Sequence, residues 1–108
     1  MPVMAIYQSD LVTADEYADF RAKLPLTAAP QGALVHAHGS TDTGFVTFEV
    51  WEDRQALQSF LDDVLGPAVK RMGLPLITPA VIEVDDFVVT PGVHAREIPY
   101  GTLGAVPA

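Results

Sequence analysis

The clearest pattern in the chain is a strict alternation of apolar and other residues over residues 45–51, FVTFEVW. Val46, Phe48 and Val50 share one face of this segment if it is extended, because successive side chains of a strand point to opposite faces. The pattern therefore predicts a strand with one wholly apolar face. The opposite face carries Phe45, Thr47, Glu49 and Trp51.

Three further segments are predicted to be strands, two of them because they are rich in β-branched and aromatic residues and one, residues 33–38, because its side chains alternate. They are residues 3–8, 33–38 and 80–89. In residues 33–38 the alternation predicts Leu34, His36 and His38 on one face and Ala33, Val35 and Ala37 on the other.

Two segments have the apolar period of a helix. The first spans about residues 14–24 and begins with Thr13 and Glu16, which match a capping box. The second follows Asp53, which can cap its first turn, and ends at Gly73. Its apolar residues recur at the i, i+3, i+4 and i+7 spacing.

The pair Gly66-Pro67 lies inside the pattern of the second helix. Proline has no backbone N–H and therefore removes one hydrogen bond from a helix. We expect a kink or a change to a tighter turn at this point.

The order strand, helix, strand, strand, helix, strand predicts an α+β, ferredoxin-like βαββαβ fold over residues 1–89. Four antiparallel strands would carry two helices on one face. The other face of the sheet is also apolar, so a two-fold dimer with the sheets packed face to face is expected to cover it. Residues 90–108 lack any period and are expected to be a tail, loose or packed on the partner subunit.

Composition narrows the function classes. The chain has 108 residues, 49% of them hydrophobic, which predicts one folded domain. Its formal charge of −8 disfavours nucleic-acid and membrane partners, because both carry negative charge. It has no cysteine, which excludes disulfides, cysteine-based zinc sites and thiol nucleophiles. The N-terminus lacks the features of a signal peptide, and no apolar run is long enough to span a membrane, so a cytoplasmic protein is expected.

Candidate chemistry gathers on the polar face of the predicted hairpin. If the turn GSTDTG pairs Gly39 with Gly44, His36 lies opposite Thr47 and diagonal to Glu49. An imidazole beside a carboxylate is a plausible general base, because the carboxylate orients the ring and raises its basicity. Residues predicted to bind substrate beside the catalytic pair His36 and Glu49 are His38, Phe45, Thr47 and Trp51, with Leu34 as a further wall.

Each of these residues also has a structural interpretation. His36 and His38 could be satisfied strand residues, and Glu49 a rim or interface charge. The two histidines with Glu49 could bind a metal, although no established ligand spacing supports this, and no metal is predicted. Tyr7 and Tyr17 are core-edge residues whose hydroxyl groups could orient a substrate oxygen.

The segment GALVHAHGSTDTGFVTFEVWEDRQALQSFLDDVLGPAVKRMG resembles the antibiotic biosynthesis monooxygenase family of dimeric α+β barrels, and the resemblance extends over about residues 3–89. Asp53 stands where the family often has serine, and Leu57 where it often has an aromatic residue. The matching positions are His36, Gly44, Val50, Trp51, Glu52, Phe60, Leu65 and Pro67.

This resemblance implies a homodimeric enzyme that acts on an aromatic or polyketide-like substrate. The activity it implies first is a cofactor-independent monooxygenase that uses acid–base chemistry. Isomerases, cyclases and lyases share the scaffold, and a non-catalytic dimer that binds a small apolar ligand is the alternative from another class. Haem degradation is disfavoured because the resemblance would require a ligand histidine on the second helix, and residues 54–72 contain none.

Overall fold

A computed structural model describes residues 1–24 and 29–95 of the chain. The elements, in order, are β1 (Val3–Ser9), α1 (Ala14–Lys23), β2 (Ala33–Ser40), β3 (Phe45–Trp51), α2 (Arg54–Phe60), a π-helical segment (Leu61–Leu65), α3 (Gly66–Arg71), β4 (Ala80–Glu83) and a 3₁₀ turn (Pro91–Ala95).

The four strands form one antiparallel sheet in the order β2-β3-β1-β4. This confirms the predicted α+β class and is compatible with a ferredoxin-like fold. One face of the sheet packs on the helices, because buried residues of β1 and β3 share a cluster with residues of α2. That cluster includes Val3, Ala5, Tyr7, Phe45, Trp51, Leu57 and Phe60, and Tyr17 of α1 packs against it.

The predicted helix starts are confirmed. The Thr13 hydroxyl accepts a hydrogen bond from the Glu16 backbone N–H at 3.1 Å, and the Glu16 carboxylate accepts one from the Thr13 N–H at 3.0 Å. Asp53 caps α2 by accepting from the Ala56 N–H at 2.8 Å. After α3, Gly73 takes a positive φ of 67°, the conformation that commonly ends a helix.

The second helix is continuous through α2, the π-helical segment and α3, so the expectation of a tighter turn at Gly66-Pro67 is wrong. The helix instead widens just before Pro67, where the Gly66 N–H donates to the carbonyl of Leu61, five residues earlier. A side chain at position 66 would approach that carbonyl oxygen to 2.8 Å. Widening of the turn accommodates the proline ring and its missing N–H.

The fourth strand is shorter than the predicted residues 80–89. β4 pairs antiparallel with β1, and its last residue, Glu83, lies opposite Val3, where β1 begins. One further bond joins the Val84 N–H to the carbonyl of Pro2 at 2.9 Å. The ladder then ends because Pro2 has no N–H to donate and the partner strand has run out.

The β2–β3 hairpin has a different register from the predicted one. His36 lies opposite Glu49 and His38 opposite Thr47, so the predicted pairing of His36 with Thr47 is wrong. The hairpin closes at Thr41 rather than Gly39, since the Thr41 N–H donates to the Gly44 carbonyl at 2.9 Å. A shift of two residues preserves which side chains share a face, because the strand period is two.

A β-bulge lies at the start of β2. Ala33 pairs with Trp51, but Val35 already pairs with Val50, so Leu34 is the extra residue. The bulge exchanges the faces of the two residues before Val35. Leu34 is 44% exposed, while Ala33 packs against the core cluster, and the expectation that Leu34 forms a wall of the site is therefore wrong.

The other face of the sheet keeps a set of apolar side chains that are at most partly buried. Alternation along the paired strands puts them on the side away from the core cluster. Ile82 is 47% exposed. The set consists of Met4, Ile6, Val35, Val46, Phe48 and Ile82.

Within residues 1–24 and 29–95, the helices are too short or too polar to cross a bilayer. Of the predicted tail, residues 91–95 form the 3₁₀ turn, and residues 96–108 lie outside the described part of the chain.

Candidate functional site

A cavity of about 100 Å³, partly open to solvent, lies between the sheet and the helices. Its polar lining residues are Tyr7, Tyr17, Arg21, His36, Thr47 and Glu49. Its apolar walls include Val12, Phe20, Phe45, Phe60, Leu65 and Ile77. The structure thus brings six of the nine residues singled out from the sequence to one cavity, and the three outside it are Leu34, His38 and Trp51.

The strand register explains how these side chains meet. Ala5, Glu49 and His36 lie side by side across β1, β3 and β2. The next row toward the hairpin turn consists of Tyr7, Thr47 and His38. Because neighbours in a row share a sheet face, all the polar groups point toward the helices.

His36 and Glu49 form the central contact of the site. The His36 Nδ1 atom lies 3.2 Å from the Glu49 Oε2 atom, and the two side chains are only 13% and 9% exposed. An ionised carboxylate can only accept hydrogen bonds, so this contact places a hydrogen on Nδ1. The other ring nitrogen, Nε2, is then the one that can exchange a proton with a bound molecule.

Trp51 completes the environment of Glu49. Its indole Nε1–H donates to the Glu49 Oε1 atom at 3.1 Å, so each carboxylate oxygen has one partner. Trp51 is 1% exposed and does not line the cavity. Trp51 was predicted to lie at the cavity wall, but it lies behind the carboxylate, where it holds Glu49 in position.

Tyr7 brings a hydroxyl group to the same cavity. The residue is 6% exposed, and its hydroxyl has no hydrogen-bond partner in the described part of the chain. Burial raises the pKa of the Tyr7 phenol, and the negative charge of Glu49 raises it further. Tyr7 therefore stays protonated at neutral pH and can donate a hydrogen bond to a bound molecule.

Tyr17 joins helix α1 to the second polar row. The Thr47 hydroxyl donates to the Tyr17 hydroxyl at 3.2 Å. The Tyr17 ring stacks on Phe45 with 4.3 Å between ring centroids, and on His38 with 4.5 Å. Burial raises the pKa of Tyr17, and the Thr47 hydrogen bond and the Arg21 charge partly oppose this shift.

His38 does not line the cavity, although it stacks on a residue that does. Burial lowers the pKa of His38, and the nearby charges of Arg21 and then His36 lower it further. The ring is therefore neutral at pH 7. Its role in the structure is to support Tyr17 rather than to contact a molecule in the cavity.

Arg21 is the polar lining residue that was not predicted from the sequence. It lies on α1 one turn after Tyr17, and its Cζ atom is 5.7 Å from the centroid of the Tyr17 ring. The i, i+4 spacing from Tyr17 to Arg21 places both on the same face of the helix, and this spacing was the available signal.

No group of three His, Asp or Glu side chains is arranged to hold a metal ion within residues 1–24 and 29–95. His36 turns its Nδ1 atom to Glu49, while His38 stacks on Tyr17. The two imidazoles therefore have different neighbours, even though they share one face of β2.

No family model, curated protein or solved structure matches this chain. The function must therefore be inferred from the cavity and the residues that line it.

Proposed function

We propose that this chain is a small-molecule enzyme that performs acid–base chemistry on an aromatic substrate, as a cofactor-independent monooxygenase. The observation that carries the proposal is the His36–Glu49 contact of 3.2 Å at the wall of a largely apolar cavity. A base held by a buried carboxylate beside an apolar pocket is the arrangement that proton abstraction from a weak carbon or phenol acid requires.

In this mechanism His36 is the base and Glu49 its positioning residue. With the hydrogen on Nδ1 held by Glu49, Nε2 accepts a proton from a phenol or an activated ring carbon. The Glu49 carboxylate then stabilises the imidazolium ion that forms. The substrate anion reacts directly with O₂: a ring CH₂ group becomes a carbonyl, one oxygen atom enters that carbonyl and the other leaves as water.

The size of the cavity limits what fits inside it. An engineered cavity of about 150 Å³ accommodates benzene in another protein. A cavity of about 100 Å³ therefore holds no more than one ring without rearrangement of its walls. A larger polyketide-like substrate would place its reacting ring inside and the remaining rings in the open mouth.

The first test is oxygen consumption with a panel of dihydroxynaphthalenes and anthrones. We expect His36→Gln to lower turnover by about 10²–10⁴, the usual contribution of a general base, while the far-UV circular dichroism of the chain stays unchanged. His38→Gln removes an imidazole that does not line the cavity and should cost much less. Equal loss in both variants, or full activity in His36→Gln, would contradict the assignment of the base.

Oxygen consumption also separates the proposal from its alternatives. The same base without oxygen would give an isomerase, cyclase or lyase, which converts substrate without consuming O₂. A binding protein would bind the aromatic panel but would neither convert it nor consume O₂. In that case the native chain and the His36→Gln variant would bind the panel with equal affinity.

We further propose that the chain is a homodimer in which the apolar sheet face opposite the helices is covered by its counterpart. The partly exposed residues Met4, Ile6 and Phe48 on that face support this arrangement, because small domains bury such faces by association. Light scattering of the native chain should give twice the 11.6 kDa of one chain. Phe48→Glu, which adds a charge to that face, should give a monomer, whereas Gln58→Glu on α2 should not.

A further inference from the structure

A cation, Arg21, lines the cavity. Arg21 is partly buried, forms no ion pair within the described residues, and its Nε atom is buried without a hydrogen-bond partner. Buried polar groups are nearly always hydrogen-bonded, because leaving a donor unsatisfied costs free energy. In a chain with 14 acidic and 6 basic residues, an arginine that faces a cavity and has no acidic partner in the described part of the chain is unusual.

A second donor in the same cavity also lacks a partner. The Tyr7 hydroxyl is buried near Glu49, which raises its pKa, but within residues 1–24 and 29–95 it makes no hydrogen bond of ordinary geometry. Tyr7 and Arg21 both line the cavity but belong to different layers, β1 of the sheet and α1 of the helices. A molecule between them would meet one neutral and one charged donor.

The negative charge of Glu49 and the positive charge of Arg21 act on different residues around the cavity. Glu49 is the charged neighbour that acts most on the pKa of Tyr7, whereas Arg21 acts on Tyr17 more than Glu49 does and is the charge that acts most on His38. A negative group of a ligand would be repelled at the Glu49 side and attracted at the Arg21 side. The cavity therefore has a preferred orientation for a ligand with one charged end.

We propose that the cavity binds an aromatic carboxylate whose carboxylate group pairs with Arg21 and whose ring oxygen accepts a hydrogen bond from Tyr7. This inference rests on the proposed function, since it uses the same cavity, and it adds the class of substrate. The planar guanidinium group can pair with both oxygens of a carboxylate. A phosphate dianion is disfavoured because Arg21 is the single Lys or Arg side chain among the described lining residues and because Glu49 lines the same small cavity.

The test compares ligands that differ only in charge. The probes are 3- and 4-hydroxybenzoate and the matching 3- and 4-hydroxybenzamides, with dissociation constants measured by isothermal titration calorimetry at neutral pH. In the native chain the acids should bind about tenfold more tightly than the amides, or better, as expected for a charge-assisted hydrogen bond. Equal affinity for acid and amide in the native chain would overturn the proposal without the use of any variant.

Two variants assign the effect to Arg21. Arg21→Gln should remove the preference for the acids and leave the affinity for the amides nearly unchanged. Lys23→Gln is the matched control, because it removes the same charge from the same helix, but Lys23 is 60% exposed and pairs with Asp19 at 2.9 Å. The control should keep the preference, and a preference that survives in Arg21→Gln would overturn the proposal.

The outcomes also separate this inference from the proposed function. If acids and amides bind equally and His36→Gln still abolishes oxygen consumption, the carboxylate pairing is wrong and the acid–base function stands. If the acids bind in an Arg21-dependent way but His36→Gln leaves turnover intact, the carboxylate pairing stands and the acid–base function of His36 is wrong. If none of the probes binds, the carboxylate pairing is wrong, and oxygen consumption by the native chain and by His36→Gln alone decides the acid–base function.

Discussion

His36 and Glu49 lie directly opposite each other on β2 and β3, and the His36 Nδ1 atom is 3.2 Å from the Glu49 Oε2 atom. Their backbone pairing holds the two side chains together, so the contact does not depend on a flexible loop. Trp51, two residues after Glu49 on the same strand, binds the other carboxylate oxygen at 3.1 Å. Glu49 is therefore held from two sides before any substrate binds.

The first prediction concerns the acceptor role of Glu49. Glu49→Leu leaves the Trp51 Nε1–H and the His36 Nδ1 without their acceptor, whereas Glu49→Gln retains one oxygen and nearly the same shape. A buried donor without a partner costs about 1–3 kcal/mol. In urea unfolding we therefore expect the free energy of unfolding of Glu49→Leu to be lower than that of Glu49→Gln by about this amount. Equal stability of the two variants would contradict the role of Glu49 as a hydrogen-bond acceptor.

The second prediction concerns the contact between Trp51 and Glu49. Trp51→Phe removes the indole donor and part of the ring volume, so its effect alone mixes packing with hydrogen bonding. The double-mutant cycle with Glu49→Leu isolates the pair, and we expect a coupling free energy of about 1 kcal/mol or more. Trp51 is the only tryptophan of the chain, so unfolding of these variants must be followed by circular dichroism. A coupling energy near zero would show that Trp51 stabilises the core through packing alone.

The third prediction uses two glycines of one hairpin. A Cβ atom at Gly44 would overlap the backbone carbonyl of Ser9, whereas one at Gly39 would meet nothing within 4 Å. Gly44→Ala should therefore destabilise the chain by about 3 kcal/mol or more, because backbone atoms must move apart. Gly39→Ala should be neutral or stabilise by up to about 1 kcal/mol, since alanine suits a strand better. Thermal unfolding of both variants is the measurement, and a similar loss in the two would contradict the close approach of β1 to the hairpin.

The sharing of faces was predictable from the sequence, whereas the register was not. Alternation alone places His36 and Glu49 on the same face of the sheet, because a strand has a period of two. The register depends on which residue closes the turn, and both Gly39 and Thr41 are compatible with a turn. The structure closes it at Thr41, whose hydroxyl also accepts from the Gly44 N–H at 2.8 Å.

The features that the sequence did not reveal depend on neighbours distant in the chain. β4 ends at Glu83 because β1 begins at Val3, and no local pattern in residues 80–89 contains that information. The bulge at Leu34 similarly appears only when β2 is paired with β3. Arg21 lines a cavity whose other walls come from distant parts of the chain, so its own helix does not reveal this position. Local signals such as the Thr13–Glu16 capping box were reliable because both partners lie within four residues.

The last prediction concerns the protonation of His38. Burial lowers its pKa in the folded state, and the Arg21 charge contributes next. The unfolded chain takes up this proton near the ordinary histidine pKa of about 6.5, whereas the folded chain takes it up only at lower pH. Between those two values the unfolded state binds more protons, so the free energy of unfolding falls as pH falls through that window.

His38→Gln removes this titration. When the pH is lowered through about 6.5, we therefore expect the free energy of unfolding, measured in urea, to fall more for the native chain than for His38→Gln. The pKa itself is measurable from the Cε1–H chemical shift of His38, and Arg21→Gln should raise it, because the second cause of the shift is removed. A His38 ring that titrates at or above the ordinary value would contradict its burial against Tyr17.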